Sequence, residues 1–140
     1  MRAFVVDTNV LFSFFKRDSF TRRLIFKASQ HFDLFTADLA YFELMKYSSL
    51  ILRKTGLSAA EFDVTVSVLR SLVVPIWISP ASDSYKYAEQ ICPDPKDVPF
   101  VALAIDLGVP LWSNDLRLKD IRQIRVLSTS EVAGLLRRSD

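Results

Sequence analysis

The chain has 140 residues, 50% of them hydrophobic and 24% charged, which is enough for one globular domain, residues 1–140, with a substantial core. One cysteine, Cys92, and one histidine, His31, exclude an internal disulfide, a Cys/His zinc cluster and any mechanism that needs two histidines, so hard chemistry falls to carboxylates. The net charge of +2, from 18 basic and 16 acidic residues, leaves room for a basic surface around an acidic pocket, whereas "SLVVPIWISP" is far too short to span a membrane.

In chain order, Arg2 to Val6 is apolar and β-branched and predicts a buried strand, and Asp7, Thr8 and Asn9 supply the residues of a strand-to-helix turn. Asp7 interrupts this apolar segment too early for a signal peptide, so a cytoplasmic protein without membrane association is expected. Helical spacing runs from about Phe20 to His31, "FDLFT" reads as a short strand, and Thr36 or Asp38 is placed to cap one long helix reaching about Lys54, ended by Gly56. Ser58 with Glu61 forms a capping box for a helix to about Leu72, and "VVPIWI" is a further strand, weakened by Pro75. Ser82 or Asp83 opens a helix to Ile91, and "CPDPKD" is a loop. "DVPFVALAIDLG" is a helix with Pro in its first turn and Gly108 at its end. "VPLWS" and "IRVLS" are strands, and a last helix covers Ser128 to Arg138. Strands alternating with helices predict a three-layer α/β/α sandwich around a central parallel sheet.

Ligands of open parallel sheets sit beyond the carboxyl ends of the strands, and Asp7 and Asp115 are predicted at two such ends. Glu43 lies in a helix entered from another strand, and Asp97 opens the helix that leads into the Asp115 strand. Each acid has a plain structural role available: caps for Asp7 and Asp97, a solvated helix face for Glu43, a turn for Asp115. Their common placement favours a shared site. Four carboxylates at about 5 Å separation and an effective dielectric near 20 repel by about 3 kcal/mol per pair, on the order of 20 kcal/mol in all. That exceeds the roughly 5–15 kcal/mol stability of a domain, so such a cluster protonates in part or binds a cation. All-oxygen donors select a hard divalent ion, Mg²⁺ or Mn²⁺.

"VVDTNVL", "AYFEL", "DVPFVALA" and "SNDLRL" resemble, in order, the four acidic motifs of PIN domains, the metal-dependent ribonuclease fold that includes VapC toxins of toxin–antitoxin pairs. The resemblance covers essentially the whole chain. It implies a PIN-like fold and a Mg²⁺- or Mn²⁺-dependent endoribonuclease with Asp7, Glu43, Asp97 and Asp115 as catalytic and metal-binding carboxylates, supported by Asn9 and Ser113. It also implies an RNA substrate, a cognate antitoxin and a homodimer. A processing nuclease that is no toxin and a catalytically silent RNA-binding PIN-like protein remain alternatives. Asp94 competes with Asp97 for the third role, and Asp120 is a further acid that reads as solvated. An aspartyl-phosphate phosphohydrolase needs a second Asp where Asn9 stands.

Arg117, Lys119 and Arg122, with Arg125 behind them, follow Asp115 closely and are expected to meet RNA phosphates; Arg22, Arg23 and Lys27 form a second basic group. Tyr41, Tyr47 and Trp112 are candidates for stacking on bases. Phe4, Phe12, Phe14, Phe15 and Phe42 read as core, and Leu50, Ile51, Leu57 and Phe62 as a dimer surface.

Overall fold

The computed structural model describes residues 2–139. Five strands form one parallel sheet in the order β3-β2-β1-β4-β5: β1 (Ala3–Val6), β2 (Asp33–Ala37), β3 (Val73–Ile76), β4 (Leu111–Trp112) and β5 (Val126–Leu127). All four residues of β1 are buried, as a strand covered on both faces requires. Helices sandwich the sheet. In chain order they are α1 (Thr8–Phe12), α2 (Phe20–Ser29), α3 (Leu39–Lys46), α4 (Ser48–Thr55), α5 (Ala59–Leu72), α6 (Asp83–Ile91), α7 (Val98–Leu107) and α8 (Thr129–Ser139). Apolar on nearly every turn, α7 packs against β1, β2 and β4 and is backed by α6; α5 contacts β3, and α8 contacts β5. Phe4, Phe14, Phe15 and Trp112 are among the largest fully buried side chains, and Phe15 stacks on Phe62 with ring centroids 5.2 Å apart.

From β1 the chain builds outward to β2 and β3, then returns to the other side of β1 for β4 and β5. The order reverses between β1 and β4, and a crevice at the carboxyl ends of those strands is where this topology places a ligand. Two main-chain bonds hold the junction: Val5 N donates to Pro110 O at 3.0 Å, and Asp7 N to Trp112 O at 2.9 Å.

Several local expectations are corrected. The long helix ending near Lys54 is two helices, because Tyr47 leaves the helical region (φ −99°, ψ 17°) where Tyr-Ser-Ser offers little helix propensity. Neither proposed cap acts there: Thr36 donates its hydroxyl to Val6 O at 2.7 Å, and Asp38 makes no side-chain capping bond. The strands at "VPLWS" and "IRVLS" shrink to two residues each, and residues 116–120 form a 3-10 helix. Ile51, Leu57 and Phe62 are core rather than dimer surface, while Phe42, read as core, is 73% exposed. Trp112 is wholly buried and donates to Thr129 Oγ1; Tyr41 is buried with its hydroxyl on Val73 O at 2.6 Å. Of the three proposed stacking aromatics, Tyr47 alone is exposed. Among the described residues no helix is long and apolar enough to cross a membrane.

Candidate active site

Asp7 is 6% exposed and ends β1 with both carboxylate oxygens engaged. Oδ1 accepts from Thr8 N at 2.8 Å; Oδ2 accepts from Ser113 Oγ at 2.7 Å and from Asn9 Nδ2 at 3.3 Å. Its capping and chemical roles therefore coexist. A carboxylate offers about four lone-pair sites, so one remains for a ligand. Ser113, 1% exposed, follows β4 and ties the two strand ends together: its hydroxyl also accepts from Asp115 N at 3.1 Å and lies 3.4 Å from Asn9 Nδ2.

Asp97 opens α7 without a capping bond, and its Oδ2 is buried with no hydrogen-bond partner. Burial first, then the charges of Asp7, Asp115 and Asp94, push its pKa to about 6 against the pull of Arg117. Asp7 is likewise raised, chiefly by burial and also by Asp115, while the bonds from Ser113 and Thr8 oppose the shift. Glu43, on α3, is raised by burial and then by Asp7, with Lys96 and Lys46 acting against it. Asp115 runs the other way. Arg117 donates its Nε to Oδ1 at 3.3 Å and its Nη2 to Oδ2 at 3.0 Å, and the side-chain bonds to this guanidinium hold Asp115 below the usual carboxylate range.

The fold thus brings Asp7, Asp97 and Asp115 within electrostatic reach of one another, with Glu43 reaching the group through Asp7. The predicted repulsion is relieved in two ways, by raised proton affinity on three acids and by an ion pair on the fourth. Among the described residues, no three His, Cys, Asp or Glu side chains stand close enough to form a ready cage for a metal ion. The donor set still suits a hard divalent cation: every group is an oxygen, one buried oxygen is unpartnered, and the acids gain by being neutralised. Asp94 caps the turn at residues 95–97 through Lys96 N and lies 3.8 Å from Arg117, so it borders the group.

The basic residues after Asp115 differ in their present partners. Arg117 is the counter-ion of Asp115, and Lys119 is bonded to Glu131, whereas Arg122 is exposed and makes no ion pair among the described residues. Arg22 is held against Phe14, with Nε on its carbonyl at 2.6 Å, and Arg23 reaches Asp18 O. The Arg117 clamp was missed by sequence reasoning, although Asp-Leu-Arg after a strand end is the spacing at which an Asp accepts from the backbone two residues on and meets that residue's side chain.

Comparison with known proteins agrees with this fold. No curated protein matches the sequence at a significant level. A chain of the VapBC2 complex of Rickettsia felis, solved bound to a DNA fragment from its promoter, is similar in structure: TM-score 0.65 and 12% identity, over 90% of this chain and 98% of that one. The family model for the PIN domain matches residues 5–130, from β1 into α8 and across all four acids, and the chain therefore belongs to the PIN-domain family of nucleases.

Proposed function

We propose that this protein is a metal-dependent endoribonuclease, the VapC-type toxin of a toxin–antitoxin pair acting in the cytoplasm. The observation that carries the reading is the carboxylate group at the β1–β4 switch point, with Asp97 Oδ2 buried, unpartnered and facing the charges of Asp7 and Asp115. Asp7, Asp97 and Asp115 would hold Mg²⁺ or Mn²⁺, with Glu43 at the edge of the set. When bound, such an ion lowers the pKa of a water and neutralises charge on the phosphodiester under attack.

The chain's own residues prepare that chemistry. Ser113 and Asn9 fix Asp7 Oδ2, and with Thr8 N on Oδ1 they hold the carboxylate in one orientation, so that the lone pair remaining on Oδ1 keeps one direction. Glu43, whose proton affinity is raised by burial and by Asp7, is the acid suited to orient an attacking water as its base. Arg117 occupies both oxygens of Asp115 and so competes with a cation for that carboxylate; to the extent that the ion displaces it, the guanidinium becomes available to an RNA phosphate.

The partner reading rests on likeness. The R. felis complex is a VapBC assembly on promoter DNA, and by analogy this chain would pair with a small antitoxin. Exposed Phe42, Met45, Leu50, Val64 and Val68 on α3 to α5 support self-association as a homodimer, testable by sedimentation.

The deciding experiment incubates purified protein with a mixed RNA pool, with and without Mn²⁺, and maps the ends produced. Metal-dependent internal cuts are expected. Asp7→Asn should lower cleavage by about two orders of magnitude or more with an unchanged circular dichroism spectrum. Undiminished cleavage by this variant removes Asp7 from the mechanism, and intact RNA with wild-type protein removes the nuclease reading.

A further inference from the structure

A cavity of about 520 Å³ opens beside the carboxylates, and Arg117 forms part of its wall. Ile91 and Pro93 come from the end of α6 and the loop after it, and Ile121, Arg122 and Gln123 from the chain leading into β5. The volume falls within the roughly 300–1,000 Å³ of small-molecule sites. A larger cavity, about 660 Å³, lies toward the amino end of β4, where residues 108–110 line it; it shares Gln123 with the first cavity but includes none of the four acids in its wall.

The lining combines three kinds of chemistry. Ile91, Pro93 and Ile121 offer apolar surface, on which the face of a planar ring can rest. Gln123 carries an amide that donates and accepts, and Asp120 supplies the lining's carboxylate, an acceptor for an exocyclic amino group. Arg122 adds a fork of donors that no ion pair occupies among the described residues. Arg117 connects the cavity to the site, because the guanidinium that lines it is the one bonded to Asp115 and lying 3.8 Å from Asp94.

We infer that this cavity is the seat of one RNA nucleotide adjoining the cleaved bond, with its base against the apolar wall, read by Gln123 and Asp120, and its phosphate on Arg122. The assignment rests on the nuclease reading and deepens it: cleavage would prefer an amino-bearing base at one fixed position from the cut. Asp120 disfavours a second phosphate inside the cavity, which restricts the phosphate contact to the Arg122 side.

The test uses a fluorescein-labelled single-stranded RNA of mixed sequence, with anisotropy read across a salt series in chelator so that no cleavage intervenes. Arg122→Ala should bind roughly tenfold more weakly at low salt, the loss of one charge-assisted contact, and should lower the log–log salt slope by about 0.7. Arg122→Lys should keep the slope and recover only part of the affinity, because it retains charge without the fork. End mapping in Mn²⁺ gives an independent readout: Gln123→Ala should flatten the base distribution at one position beside the cut and leave the other positions unchanged. Arg122 and Gln123 are both exposed, so the variants should keep the wild-type circular dichroism spectrum. If wild type cuts RNA while Arg122→Ala binds with wild-type affinity and slope, or Gln123→Ala keeps the wild-type distribution, the cavity assignment is overturned and the nuclease reading stands. Wild-type protein that neither binds nor cuts RNA overturns both.

Discussion

Asp97→Asn should make the metal-free protein more stable at neutral pH. The folded state raises the Asp97 pKa from 3.8 to about 6. A raised carboxylate stabilises the fold fully below its unfolded value, and that contribution is lost as pH rises through its folded value, here between about pH 4 and pH 6. Each pKa unit is worth about 1.4 kcal/mol, so the full penalty approaches 3 kcal/mol; Asp97 retains solvent contact, and screening reduces this to about 1.5 kcal/mol. The variant also loses a negative charge at the α7 N-terminus, which costs about 0.5 kcal/mol, but no capping bond, because Asp97 makes none. The net gain is about 1 kcal/mol, or a Tm rise of about 3 °C for a domain of this size. Melting curves in chelator near pH 7.5 and near pH 4 measure it, and the gap between variant and wild type should close at the lower pH. Added Mn²⁺ should reverse the order, since an ion held at a hundredfold excess over its Kd stabilises the folded state by about 2.7 kcal/mol, and the variant has lost a ligand. A variant that melts below wild type in chelator near pH 7.5, or a gap that persists near pH 4, refutes the reasoning.

Arg117→Ala frees the Asp115 carboxylate from its counter-ion, so Mn²⁺ should bind several-fold more tightly by calorimetry; unchanged or weaker binding means that Arg117 and the ion do not compete. Ser113→Ala removes a buried hydroxyl that donates to Asp7 and accepts from Asp115 N, and should cost about 1–3 kcal/mol in urea unfolding. Tyr41→Phe leaves the Val73 carbonyl without its side-chain donor, and a loss of about 1 kcal/mol is expected from the same measurement.

Much of the framework was legible because it depends on local chemistry. The run of apolar, β-branched residues before Asp7 marks β1; Ser58 with Glu61 makes both reciprocal bonds of the capping box; and Pro99 and Gly108, the latter at φ 67°, bracket α7. The break at Tyr47 was not, since an apolar pattern continues across it and the low helix propensity of Tyr-Ser-Ser weakens a helix without forbidding it. Phe42 and Trp112 were misjudged for a related reason. An aromatic among apolar neighbours has no local mark of exposure, and which side of α3 or β4 faces the core is decided by tertiary packing. The four acids were legible as a group, whereas the Arg117 clamp on Asp115, signalled only by the Asp-Leu-Arg spacing, was passed over because a basic run after an acid reads equally as a phosphate-binding segment.

The bond from Asp7 N to Trp112 O bears on how such a site survives divergence. It belongs to the main chain, so substitution of side chains leaves its donor and acceptor in place, and it holds together the two strand ends that present Asp7 and Ser113. Substitutions that keep the apolar volume of the buried strands therefore leave this tie, and the spacing of the two strand ends, in place. A chain with only 12% identity retaining a similar fold over 90% of this one accords with such a division of labour. The side chains of the site thus sit on a frame tied at its centre by the peptide backbone, which every sequence carries.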